Sequence, residues 1–130
     1  MKIRKTAIAA AIAAVFLGIV GTALPAQAAS SDCPSGAGCA WQDSGFEGRE
    51  VGFNYNVADY GKIGIPGFTL QDEISSVYNA GTTGRWARWY QDHNYTGNYK
   101  QFVPFAGRSN LADIGFNDRI TSGCFQNYCS

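Results

Sequence analysis

Trp41-Gln42-Asp43-Ser44-Gly45-Phe46-Glu47-Gly48 and Tyr90-Gln91-Asp92-His93-Asn94-Tyr95-Thr96-Gly97 share one spacing: an aromatic, four residues, an aromatic, one residue, a glycine. Each is followed by a second repeat, Gln71-Asp72-Glu73-Ile74-Ser75-Ser76 and Asn117-Asp118-Arg119-Ile120-Thr121-Ser122, with the common form Asp-x-x-Ser/Thr-Ser. The first pair starts 49 residues apart and the second 46. A repeat this short describes two copies of one supersecondary unit. Within each copy the residues have mechanical roles. The hairpin beginning at Trp41 or Tyr90 folds back over its sheet, and Phe46 or Tyr95 covers the turn. Gly48 and Gly97 supply a backbone with positive φ that a Cβ would penalise. The terminal serines, Ser76 and Ser122, are placed to hydrogen-bond the folded hairpin's backbone.

Outside these segments the chain is built of short aromatic and β-branched runs separated by Gly, Asn, Asp and Pro. No stretch after residue 32 has helical periodicity. That pattern predicts many short strands. They are expected at 39–43, 49–55 and 74–79 in the first copy, and at 85–91, 98–103 and 120–125 in the second. A shorter strand is expected before each hexamer, near Phe68 and Ile114. The turn Ala80-Gly-Thr-Thr-Gly84 divides the units, and 57–67 and 104–113 are long connections, the latter with a short helical turn at 111–114. Four strands with one long connection make a Greek key. The expected fold is therefore all-β: two Greek keys, about 33–80 and 84–130, forming one β-sandwich. Its core is expected to take Trp41, Phe46, Val51, Phe53, Ile74, Val77, Trp86, Tyr90, Tyr95, Phe102 and Ile120.

The first 28 residues read as a secretory signal peptide: Lys2, Arg4 and Lys5, an apolar run from Ala7 to Val20, then Pro25 and the small-x-small site Ala26-Gln27-Ala28. The run is too short to span a bilayer, and no later segment resembles a membrane span. The exported domain would be residues 29–130. It holds seven Lys and Arg against ten Asp and Glu, a net charge of −3. That excludes the basic footprint of a nucleic-acid partner, and a secreted, extracellular monomer is expected. All four cysteines, Cys33, Cys39, Cys124 and Cys129, lie in the exported part. An even count in a small secreted domain implies two disulfides, with three pairings open. The local pairs Cys33–Cys39 and Cys124–Cys129 are favoured. The rival, Cys39–Cys124, would staple the first strand to the last. The spacings are not those of a zinc site, and the single histidine, His93, falls in a turn.

The aromatic-x4-aromatic-x-Gly hairpins and the Asp-x-x-Ser/Thr-Ser hexamers, each present twice and in order, resemble the βγ-crystallin superfamily and its calcium-binding members. The resemblance spans Cys39 to about Phe125. The chain is similar in particular to the bacterial secreted peptidase inhibitors built on this fold. Cys33-Pro34-Ser35-Gly36-Ala37-Gly38-Cys39 resembles their N-terminal Cys-Pro-x-Gly-x-x-Cys loop. Cys124-Phe125-Gln126-Asn127-Tyr128-Cys129 has the Cys-x4-Cys spacing of the ring that carries the reactive bond, although that ring lies mid-chain in the family.

The resemblance implies two sites. In calcium-binding members, a hydroxyl from one hexamer joins an Asp side chain and a backbone carbonyl from the other. Here the side chains would be Asp72, Ser75, Asp118 and Thr121, and the carbonyls those of Glu73 and Arg119. Such oxygen donors suit Ca2+, and their low charge suits modest affinity. Gln71 departs from the Asn/Asp first position, and the alternative is that the hydroxyls only staple the hairpins. The second implied site is an inhibitory loop at Cys124 and Phe125, with Phe125 offered to a peptidase preferring a bulky apolar residue. The alternative is that this ring only ties down the C-terminus. Loops 57–67 and 104–110 are further contact surfaces. No nucleophile–base set supports an enzyme, and Arg85-Trp86-Ala87-Arg88-Trp89-Tyr90 reads as a strand rather than a sugar or nucleic-acid platform. The expected function is inhibition of extracellular peptidases, with metallopeptidases as targets. The alternatives are a calcium-stabilised structural module and a small secreted toxin.

Overall fold

In the computed structural model, residues 32–63, 66–82 and 84–130 are described. The signal peptide lies outside them. Among the described residues eight strands form two four-stranded antiparallel sheets. In chain order they are β1 (Gly38–Asp43), β2 (Glu47–Phe53), β3 (Asn56–Val57), β4 (Ser76–Asn79), β5 (Ala87–Asp92), β6 (Thr96–Phe102), β7 (Ala106–Arg108) and β8 (Ser122–Phe125). The first sheet has the order β2-β1-β4-β7 and the second β3-β8-β5-β6. Each sheet thus borrows one short strand from the other half of the chain. β3 pairs with β8 through Val57 and Gly123, and β7 pairs with β4 through Tyr78 and Gly107.

The two short strands therefore lie early in the long connections, not near Phe68 and Ile114. The segments before the hexamers cover the core instead. Leu70 and Leu111 are fully buried, and 111–114 is a 3-10 turn capped by the Asn110 side chain, which accepts from the Ala112 amide. These segments connect across the halves: the Tyr60 amide donates to the Thr121 carbonyl at 2.8 Å and the Leu111 amide to the Ser75 carbonyl at 2.9 Å.

The folded hairpins match their expected mechanics. Phe46 and Tyr95 adopt φ of 62° and 60°, and Gly48 and Gly97 both adopt 79°. The φ of Gly48 strains any L side chain, and a Cβ there would also displace the Asp43 carboxylate, so the position favours glycine. In the first copy Ser76 Oγ accepts from the Phe46 amide at 3.1 Å and donates to the Asp43 carbonyl at 2.6 Å. In the second copy Ser122 Oγ accepts from the Tyr95 amide at 3.0 Å and donates to the Asp92 carbonyl at 2.6 Å. The paired aromatics meet edge to face, Trp41 on Phe46 at 5.2 Å and Tyr90 on Tyr95 at 6.2 Å.

The main core lies between the sheets and includes Phe53, Tyr60, Leu70, Ile74, Trp89, Leu111, Ile120 and Phe125. A smaller cluster lies under the first hairpin: Trp41, Phe46, Ala37, Ala80 and the Cys33–Cys39 bridge. Trp86, expected in the core, is 39% exposed, and Trp89 is fully buried in its place. Trp86 lies one residue before β5, whereas Trp89 sits on the face of β5 that packs into the sandwich against Phe53. Trp89 donates through Nε1 to the Tyr60 hydroxyl at 3.2 Å. Burial pushes the Tyr60 phenol well above the usual tyrosine range, so it stays a neutral hydrogen-bonding partner.

Candidate functional site

The two hexamers lie against each other with twofold-like reciprocity. The Asp72 amide donates to the Ile120 carbonyl and the Asp118 amide to the Ile74 carbonyl, each at 3.0 Å. Asp72 and Asp118 both adopt a left-handed backbone, with φ of 54° and 52°. Asp tolerates this conformation better than most residues because its short side chain bonds locally. The result presents Asp72 beside the opposite hexamer's Thr121 hydroxyl.

The match is unequal. Thr121 Oγ1 donates to Asp72 Oδ1 at 3.2 Å, across 49 residues of sequence. Among the described residues no side-chain hydrogen bond joins Ser75 to Asp118. Asp118 Oδ2 instead accepts from Asn117 Nδ2 at 2.7 Å. The carbonyls of Glu73 and Arg119 accept no hydrogen bond from the described residues, which leaves both oxygens available. The Glu73 carboxylate is taken up by Arg49 at 2.8 Å. Both partners of that ion pair are about two-fifths exposed, so the pair contributes little to stability. The half with Asp72, Thr121 and the Glu73 carbonyl thus fits a hard cation completed by water. The half with Ser75, Asp118 and the Arg119 carbonyl lacks the matching hydroxyl–carboxylate contact, its aspartate being taken up by Asn117, and is the poorer fit. Among the described residues no three His, Cys, Asp or Glu side chains gather around one point.

The disulfides are the local pairs. Cys33–Cys39 closes with Cα atoms 5.9 Å apart and Cys124–Cys129 with 5.3 Å. The rival Cys39–Cys124 bridge is not formed. Phe125 does not have the expected place. It is 1% exposed, packed edge to face on Phe53 at 5.2 Å under the Arg85 guanidinium at 5.0 Å. Strand β8 aims it into the sandwich, so it anchors the ring and is not offered to a partner. The exposed part of the ring is the 3-10 turn Gln126–Tyr128.

His93 sits on the hairpin tip with Nε2 3.5 Å from Asp59 Oδ2, and Asp59 also meets Lys62 at 3.6 Å. With the Asn94 amide donating to the Ala58 carbonyl at 2.9 Å, these contacts hold the first long connection to the second hairpin. They hold a loop and form no catalytic set.

The sequence reading missed two features. Asn79, fully buried, gathers the backbone of Gly81, Arg85 and Phe102. Arg85 lies over the paired rings of Tyr55 and Tyr128, 5.7 Å from each. No local signal marks the Arg85 cluster, because its aromatic partners are 30 and 43 residues away.

The model of peptidase inhibitor family I36 matches residues 26–102, more than half of the chain. No curated protein matches it by sequence. Among solved structures it is similar to a domain from work on the evolution of the eye lens βγ-crystallin fold. That likeness has TM-score 0.61 and 22% identity, over 72% of this chain and 88% of that one. It is similar to a βγ-crystallin from Ciona intestinalis, with TM-score 0.56 and 20% identity, over 70% and 100% of the two chains. Spherulin 3A from Physarum polycephalum gives TM-score 0.54 and 22% identity, over 72% and 84%. At these identities the likeness shows the fold, the two-Greek-key sandwich expected of the repeats. The family match and the fold together describe a non-enzymatic protein whose partner is a peptidase. The chain belongs to peptidase inhibitor family I36, on a βγ-crystallin scaffold.

Proposed function

We propose that this protein is secreted and inhibits extracellular metallopeptidases, with calcium holding the hexamers in place. The observation that carries the inhibitor reading is the family match across the first Greek key and into the second. The secreted location is supported by two disulfides in a domain of this size. Among the described residues no helix is long and apolar enough to cross a membrane. Calcium binding is supported by the Thr121–Asp72 contact and the unused Glu73 carbonyl.

Titration of the purified protein into a thermolysin-type zinc peptidase, with and without calcium, tests the reading. Stoichiometric loss of activity is expected. Full activity at micromolar inhibitor, against both this enzyme and a subtilisin-type serine peptidase, would sink it. A calcium-stabilised module without inhibitory activity is the second reading, favoured by the same Thr121–Asp72 geometry. The calcium arm has its own readout. With affinities of about 10⁻⁵ to 10⁻³ M, ~10 mM calcium stabilises the fold by about 1.4–4 kcal/mol per occupied site. The expected result is a rise in Tm that Asp72→Ala reduces more than Asp118→Ala does. Equal rises in all three proteins would remove the hexamers from consideration as the site.

A further inference from the structure

Among the described residues, six large hydrophobic side chains are notably exposed: Tyr55, Trp86, Tyr99, Val103, Phe105 and Tyr128. Three of them are tied to the Cys124–Cys129 ring. The rings of Tyr55 and Tyr128 meet edge to face at 4.9 Å. The Trp86 carbonyl accepts from the Gln126 amide at 2.8 Å, and the Tyr55 carbonyl accepts from the Phe125 amide at 2.9 Å. Asn56 Nδ2 donates to the Tyr128 carbonyl at 3.0 Å. Tyr55 is 55% exposed and Tyr128 39%, so both rings remain open to a partner while their backbones are fixed.

Arg85 completes this surface. Its guanidinium stacks on Tyr55, Tyr128 and the buried Phe125. Its Nη1 donates to the Asn54 carbonyl at 3.1 Å. Among the described residues no carboxylate pairs with it. Its other N–H groups make no hydrogen bond to the described residues and can donate to a partner. Tyrosine and arginine are the residues that most often dominate protein interfaces. A disulfide ring braced by several hydrogen bonds loses little conformational freedom on binding.

We propose that Tyr55, Arg85 and Tyr128, with the ring they brace, form the surface that enters the target peptidase's active-site cleft. The Tyr128 ring fills an apolar subsite, and Arg85 meets carbonyl or carboxylate oxygens at the cleft's rim. This rests on the inhibitor reading and gives it a contact surface. Phe125 is the internal anchor of that surface, and Tyr128 is the side chain it presents.

The test is the inhibition constant against thermolysin for the wild type, Tyr128→Ala, Tyr55→Ala and Tyr99→Ala, with Tm measured for each. Tyr99 is 47% exposed on β6 and serves as the control. A central interface tyrosine gives a loss of about 30-fold when truncated. That loss is expected for Tyr128→Ala, a smaller one for Tyr55→Ala, and none for Tyr99→Ala. A wild type that inhibits, with Tyr128→Ala and Tyr55→Ala inhibiting equally well, overturns this surface and leaves the inhibitor reading standing. A wild type that does not inhibit overturns both. Should a variant fail to fold, amide exchange of the wild type bound to peptidase decides the matter. Slowed exchange at 54–56, 85–86 and 125–129 supports the surface, and unchanged exchange there refutes it.

Discussion

Trp89→Ala is expected to lower the unfolding free energy by about 4 kcal/mol, the range for truncating a fully buried Trp. The indole has no solvent contact and lies between Phe53 at 5.7 Å and Phe102 at 5.8 Å. Its loss opens a cavity at the centre of both sheets and leaves the buried Tyr60 hydroxyl without the Nε1–H donor. In a domain of this size a loss of about 4 kcal/mol takes up much of the total stability. Urea unfolding followed by far-UV circular dichroism checks it. The companion substitution is Trp86→Ala, three residues away and 39% exposed, expected to change stability by less than about 1 kcal/mol. A Trp89→Ala loss below about 2 kcal/mol, or equal losses for the two, would mean that the packing described is wrong.

Asn79→Ala is the second large effect, about 3 kcal/mol, and it acts through polar groups. Asn79 Nδ2 donates to the carbonyls of Arg85 and Phe102, each at 2.8 Å, and Oδ1 accepts from the Gly81 amide at 2.7 Å. Truncation leaves three backbone groups without these partners, and an unpaired buried group costs about 1–3 kcal/mol. Part of that loss is recovered when water or a small shift satisfies one of them. Asn79→Asp discriminates the mechanism: a carboxylate cannot donate to the two carbonyls, so it is expected to be at least as destabilising as alanine. Near-native stability for Asn79→Asp would show that the two donated bonds contribute little. Because Asn79 holds the Arg85 backbone, local loosening is also expected around residues 81–86, measurable as faster amide exchange there.

The parts of the molecule legible in sequence are those whose cause is local. Gly48 follows Phe46 by two residues and serves the same turn. Its need for positive φ is a property of the backbone there, so the glycine itself announces it. Ser76 bonds a hairpin thirty residues back, which no local rule predicts, yet the same pairing recurs at Ser122. The repeat made that long-range contact readable. Asp72 and Thr121 were placed by the same repeat, through the resemblance it carries. The inequality of the two hexamer halves was only partly visible. Gln71 marked a departure in the half with Asp72, yet that half has the closer hydroxyl–carboxylate contact.

Other features follow from closing the whole sandwich. β3 and β7 are two and three residues long, too short to show alternation, and each exists because the opposite sheet offers it an open edge. Trp86 and Trp89 are the same residue type three positions apart, so composition cannot say which faces inward. The packing of one face of β5 on the opposite sheet does, with Trp89 against Phe53 of β2. Phe125 follows a cysteine in a small ring, a setting that locally resembles an exposed loop. Its register on β8, opposite Ala87, turns the ring of Phe125 into the core and leaves Tyr128 outside. Sequence alone determined the two hairpins, their glycines, their serine staples and the fold class, because each depends on a few neighbouring residues or is stated twice. Which aromatics are buried, which strands cross between sheets and which side chains Arg85 meets were decided by tertiary structure. Those outcomes depend on the summed burial of segments far apart in the chain, and no single segment contains that sum.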